Sequence, residues 1–150
     1  MIISIVAITQ VVVTCFLTGL IWFVQIVHYP LFKCISADNF IRYHQQHMRK
    51  TSYVVVPLMI GEAFCVFFLA FSFTKGSLLY FMALSGLILL ALIWLSTFGL
   101  QVPKHLRLKL GHKEEIINTL ITTNWIRTIL WSLRSFVSVV ILIKLITFKY

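Results

Sequence analysis

Residues 78–100 read "LLYFMALSGLILLALIWLSTFGL", twenty-three positions without one Asp, Glu, Lys or Arg. At a helical rise of ~1.5 Å per residue the run is about 35 Å long, enough to cross a hydrocarbon core roughly 30 Å thick. A chain of 150 residues has too little polar chain to cover so uniformly apolar a helix in water. The stretch is therefore read as a transmembrane span, and runs of similar length and polarity recur on both sides of it.

The other spans cover about 2–28, 51–73 and 124–146, and "TKGS" at 74–77 makes a short turn between the second and third. The whole chain is 60% hydrophobic and 11% charged, which excludes a soluble globular class. The expected fold is all-α, an integral membrane bundle of four transmembrane helices forming a single domain over residues 1–150. The first run has no Lys or Arg ahead of it and exceeds the ~7–15 residue core of a signal peptide, so it is read as a retained span. Cys15, Cys34 and Cys65 have unrelated spacings and form no CxxC, so they are read as buried small hydrophobes.

A net charge of +9 raises the question of nucleic acid, but the basic residues lie beside spans and no recognition motif accompanies them. Lys33, Arg42, Arg49 and Lys50 fall in the first long connector, and Lys104, Arg107, Lys109 and Lys113 in the second. Only Lys75, Lys144 and Lys149 fall on the opposite side. The positive-inside rule then makes both connectors cytoplasmic and both termini external, with anionic lipid headgroups as partners of the basic rim.

The connectors carry helix signals of their own. Asp38 is an N-cap candidate ahead of "NFIRYHQQHMRKTSYVV", which starts the second helix some three turns before the membrane. Pro103 marks a kink or restart, Gly111 a C-cap, and Glu114 with Glu115 a first turn. Helices two, three and four are thus expected to extend on the cytoplasmic side.

All five histidines lie on the basic side. His28 ends the first span, His47 precedes the second by about a turn, and His105 follows the third by about a turn, so three helices bring an imidazole to one level. Transition metals and haem iron favour imidazole, and helical bundles build such sites from facing helices, so His28, His47 and His105 are expected metal ligands. The alternative is that interfacial histidines bind only headgroups or backbone. His44, at i and i+3 with His47, is a further ligand or a supporting group, and His112 is read as solvated. Gln25, one turn below His28, is placed to orient that ring.

In "NWIRTILWSLR" the residues Asn124, Arg127, Trp131 and Arg134 share one helix face. Arg127 falls near the histidine level and Arg134 about 10 Å deeper. A buried arginine needs a partner, and Glu62 is the one acid within a span, at a matching depth, so a Glu62–Arg134 ion pair is expected. It is read as a clip fixing helix register, as the floor of a substrate pocket, or as part of a proton path. Pro57 and Gly61 lie just before Glu62 and are expected to loosen the second helix. No GxSxG, HExxH, Walker loop, GxGxxG or CxxCH occurs, so hydrolase, zincin, nucleotide and covalent-haem chemistry have no support.

The stretches "GLIWFVQIVHYPLF", "HMRKT", "LQVPKHLRL" and "TNWIRTILWSLR" together resemble a group of small bacterial four-span membrane proteins related to the anthrone-oxygenase-like family. The resemblance covers nearly the whole chain. The group's pattern maps onto His28, Tyr29 and Pro30; His47; Pro103 and His105; and Asn124, Trp125, Arg127, Thr128, Trp131 and Arg134, with Glu62 also fitting. His44 and His112 lie outside it. The resemblance implies the bacterial cytoplasmic membrane and oxidation of a phenolic carbon by oxygen, the chemistry of the family's named enzymes.

The function expected from these readings is a membrane oxidoreductase or oxygenase-like protein. A transition metal (Cu, Fe or Zn) or haem would sit on His28, His47 and His105, and Asn124 and Arg127 would contact an oxygenated or anionic, lipid-soluble substrate. The alternatives are a non-enzymatic transporter or channel using Glu62 and Arg134, and a structural membrane protein.

Overall fold

The computed structural model describes residues 1–147; Lys149 lies outside them. Four helical rods make up the chain: α1 (Ile2–Cys34), α2 (Ala37–Ser72), α3 (Leu78–Leu108) and α4 (Glu114–Thr147). Each contains a window long and apolar enough to cross a membrane. Their outer faces stay apolar: Phe71 is 86% exposed, Phe64 72%, Phe136 68% and Leu95 68%, and Cys15 and Cys34, expected to be buried, are exposed as well. Side chains of that size all round the outside are what a lipid-facing surface requires, and they identify an all-α integral membrane bundle.

Successive helices are neighbours, and α1 packs extensively on α4 to close the ring. The α2–α3 pair packs least, and α2 meets mainly the Leu78–Ser96 part of α3. The core has two apolar layers. Leu17, Ile21, Phe32, Phe40, Met59, Leu90, Ile93, Leu120 and Trp131 belong to the layer towards the basic connectors. Ala7, Leu69, Ala70, Phe73, Ala83 and Ile141 belong to the other. Between them lie the buried polar residues Gln10, Thr14, Glu62, Arg134 and Ser138.

Two rods are not uniform helices. Val24–His28 in α1 and Thr97–Gln101 in α3 are π-helical turns. Each precedes a proline, Pro30 and Pro103. A proline ring clashes with the carbonyl four residues back, here Ile26 and Gly99, and both carbonyls lie inside the widened turns. The π turns therefore let both helices run past a proline. Pro57 and Gly61, expected to loosen the second helix, do not interrupt it: α2 continues through both as regular α-helix from Ala37 to Ser72.

Two cap expectations shift. The residue capping α2 is Ser36, not Asp38, which instead occupies the first turn; there its carboxylate faces the positive end of the helix dipole. Gly111 takes φ +143° in the connector after Leu108, a conformation that favours glycine. The helices extend beyond the apolar windows on the basic side, as the connector sequences indicate.

Candidate functional site

Both π turns pack against α4 near the basic end of the bundle, and residues at and beyond them converge with residues of α2. His28 and Tyr29 come from α1, His44 and His47 from α2, and His105 from α3. The His28 Nε2 lies 2.7 Å from His47 Nδ1, and His44 Nε2 lies 3.0 Å from His105 Nδ1. The Tyr29 hydroxyl is 3.0 Å from His105 Nε2, and the Thr51 hydroxyl is 3.1 Å from His47 Nδ1. Ring centroids of His47 and His105 are 6.0 Å apart. Phe32 is buried among them, with its centroid 5.2 Å from those of His28 and His47.

His28, His47 and His105 thus share one layer, but four imidazoles meet there, not three. His44 is fully buried and stacks on Phe40. Its i and i+3 spacing from His47 was the available signal. His112, read as solvated, is half-buried and meets Phe40 edge-on at 4.9 Å, because the connector folds back over the start of α2.

The nitrogen spacings bear on the expected metal. Two imidazoles on one tetrahedral ion at ~2.05 Å stand roughly 3.3 Å apart, nitrogen to nitrogen. Both pairs here are shorter, as hydrogen bonds are. Among the described residues no three His, Cys, Asp or Glu side chains are arranged to hold a metal ion. As they stand, the rings engage one another and not a shared metal or haem iron.

Hydrogen bonding between imidazoles requires one ring to donate and the other to accept. One consistent direction runs from the Tyr29 O–H to His105 Nε2 and from the His105 Nδ1–H to His44 Nε2. In the reverse direction His44 donates to His105, His105 donates to the Tyr29 oxygen, and the phenol hydrogen is free. The chain Tyr29–His105–His44 therefore has two tautomeric directions, and it ends at His44 Nδ1, which is buried without a partner.

Next to this chain stands Arg127, only 9% exposed, with its guanidinium beside the Tyr29 hydroxyl. It donates to Asn124 Oδ1 at 3.3 Å, and its Nε is buried without a partner. Asn124 in turn donates to Gln25 Oε1 at 2.9 Å, and Gln25 Nε2 donates to the Ile121 carbonyl at 3.2 Å. Gln25 therefore does not orient His28. The π turn holding both residues separates their faces and aims Gln25 at α4, where with Asn124 it steadies Arg127.

These residues cap one end of a cavity of about 420 Å³. Tyr29, His47, Gln101, His105 and Arg127 line that end. Leu17, Ile21, Val24, Val55, Met59, Trp94 and Trp131 line the rest. Exposed Val56, Ile60 and Phe98 also border it, so it reaches the outer surface between α2 and α3, where those helices pack least. His28, His44 and Asn124 stand behind the wall.

Glu62 and Arg134 are brought together, with Nη2 to Oε1 at 2.6 Å and both side chains fully buried. The Thr14 hydroxyl donates to the same carboxylate at 3.4 Å. Neither residue lines the cavity, so the expected pocket floor is instead built by Met59 and Trp131, about a turn nearer the histidines. Gly86 makes room for the arginine: a Cβ there would lie 3.1 Å from Arg134 Nη1.

No family model, curated protein or solved structure matches the chain.

Proposed function

We propose that this integral membrane protein takes a lipid-soluble molecule laterally from the bilayer and performs acid–base chemistry on its oxygen-bearing head. The carrying observation is the cavity itself, with apolar walls, an opening between α2 and α3, and one polar end at Tyr29, His47, His105 and Arg127. Arg127 receives the head oxygen. Tyr29 gives a proton there and takes it back, its phenolate held in between by Arg127 and by the Nε2–H of His105. Water is kept out by the apolar walls, which strengthens both interactions.

An oxidoreductase or oxygenase reaction is the chemistry implied by the motifs shared with the anthrone-oxygenase-like group. A metal or haem on His28, His47 and His105 belongs to that reading and requires the paired rings to part. The basic connectors favour a cytoplasmic placement of the site in a bacterial inner membrane, with anionic lipids around the rim. A transporter or channel based on Glu62 and Arg134 draws less support, since the pair sits outside the cavity between packed helices.

A photoactivatable, lipid-soluble alkylphenol tests the proposal on protein in lipid nanodiscs. Labelling is expected at Val55, Met59 or Trp94 and is lost in Val55→Trp. Labelling confined to lipid-facing Phe64, Phe71 and Phe136 would overturn it. Metal analysis and an optical spectrum of the same sample address the metal reading: an equimolar metal or a haem band that disappears in His47→Ala supports it.

A further inference from the structure

We infer that the cavity's occupant is a single-chain amphiphile with a monoanionic head, of the long-chain carboxylate class, drawn from the leaflet on the basic side. The inference rests on the cavity being a lateral binding site and names what it holds.

The head is assigned from charge. The chain has four acids, Asp38, Glu62, Glu114 and Glu115. Glu62 is committed to Arg134, and that is the one salt bridge between described residues. Asp38, Glu114 and Glu115 sit in the first turns of α2 and α4. Arg127 is left nine-tenths buried at the cavity's polar end with no carboxylate and with its Nε unpartnered. A buried guanidinium without a counter-ion is costly, and its planar donor fork matches a carboxylate. One cation calls for one negative charge.

The tail is assigned from shape. Along α2 the lining runs from His47 to Ile60, about 20 Å at the helical rise. This is somewhat more than one leaflet's share of a ~30 Å hydrocarbon core. Below the polar end the walls are mostly apolar, set by Leu17, Ile21, Val55, Met59 and Trp131. A volume of about 420 Å³ holds roughly 14 groups of water size at ~30 Å³ each, which is one chain and not two. An amphiphile lying there keeps the head and tail orientation it has in the adjacent leaflet, so it slides in sideways without inverting.

The portal is assigned from continuity. Met48 and Ser52 line the cavity and also a shallow cleft formed with Gln45, Arg49 and Lys109. Arg49 and Lys109 thus flank the opening at the headgroup level, and neither forms a salt bridge among the described residues. They attract an anion to the mouth, and Arg127 retains it.

The test uses protein in zwitterionic nanodiscs at about pH 8.5, above the ordinary carboxyl range. It is titrated with a fluorescent conjugated-polyene fatty acid and separately with the methyl ester, each referred to empty nanodiscs. The acid is expected to bind roughly ten- to a hundredfold tighter than the ester. Arg127→Gln weakens the acid far more than the ester, so that the preference between them is lost, whereas Arg127→Lys keeps part of it. Arg49→Gln with Lys109→Gln slows acid association and leaves dissociation unchanged. Equal binding of acid and ester by the parent protein overturns the anionic assignment and leaves the lateral cavity standing. Binding of neither overturns both, and undiminished acid preference in Arg127→Gln, checked for native helicity, overturns the role of that residue and with it the inference.

Discussion

Replacing Glu62 by Gln tests how the middle of the bundle is held together. In the parent the carboxylate meets Arg134 Nη2 at 2.6 Å, with both side chains at 0% exposure, and Thr14 adds a hydrogen bond. Glu62→Gln leaves the guanidinium in the same enclosure with no counter-charge, and Nε and Nη1 are already unpartnered. Removing one member of a buried pair costs about 3–5 kcal/mol. Arginine cannot shed its proton to escape, whereas a carboxyl orphaned by Arg134→Met can neutralise itself by taking one up. The order of destabilisation is therefore Glu62→Gln above Arg134→Met, with the double variant Glu62→Met, Arg134→Met less affected than Glu62→Gln. The double variant removes both charges and fills the volume with flexible apolar chain, so it is expected within about 1–2 kcal/mol of the parent. Equilibrium unfolding in mixed micelles of rising SDS content, followed by far-UV circular dichroism, measures these forms together with the double variant Glu62→Gln, Arg134→Met, which closes the double-mutant cycle with the parent and the two single variants. A coupling energy of at least ~2 kcal/mol is expected. If Glu62→Gln stays within ~1 kcal/mol of the parent, or the two single effects simply add, the pair does not hold α2 and α4 together.

Three further perturbations follow from the same geometry. Gly86→Ala places a Cβ 3.1 Å from Arg134 Nη1 and 3.3 Å from its Cζ, so it is expected to cost about 1–3 kcal/mol in the same unfolding assay, and much less in an Arg134→Met background. Asn124→Leu orphans Gln25 Oε1 and removes the hydrogen-bond acceptor of Arg127, which predicts a loss of roughly 1–3 kcal/mol and weaker fatty-acid binding in the nanodisc titration. Tyr29→Phe keeps the ring and deletes the hydroxyl that joins Arg127 to His105. Stability is expected to fall by only about 1 kcal/mol, while ¹⁵N NMR of labelled histidine shows the tautomer balance of His105 and His44 changing.

Much of this arrangement is legible along the chain axis. Apolar run length marks the four helices because a bilayer sets a minimum span. Counting residues from the ends of those runs puts His28, His47 and His105 at one level, and Glu62 opposite Arg134. Such counting works because helical rise is nearly constant.

Direction around the axis is another matter. Gln25 looks placed to serve His28 on a regular helix, and the π turn over Val24–His28 sends it to Asn124 instead. His44 carries no signal beyond its i and i+3 spacing from His47, yet its ring completes the hydrogen-bonded chain. Pro30 and Pro103 were the visible signals, each standing just past a widened turn that relieves its clash.

By itself the sequence determined a membrane bundle of four helices, its basic side, and the depth of each polar group, since these depend on composition and on a fixed rise per residue. Only the tertiary structure decided that four imidazoles pair with one another, that Arg127 faces a cavity without a counter-ion, and that this cavity opens between α2 and α3. Those features depend on rotation about each helix axis and on how closely neighbouring helices approach, and both are set by packing between residues distant in the chain.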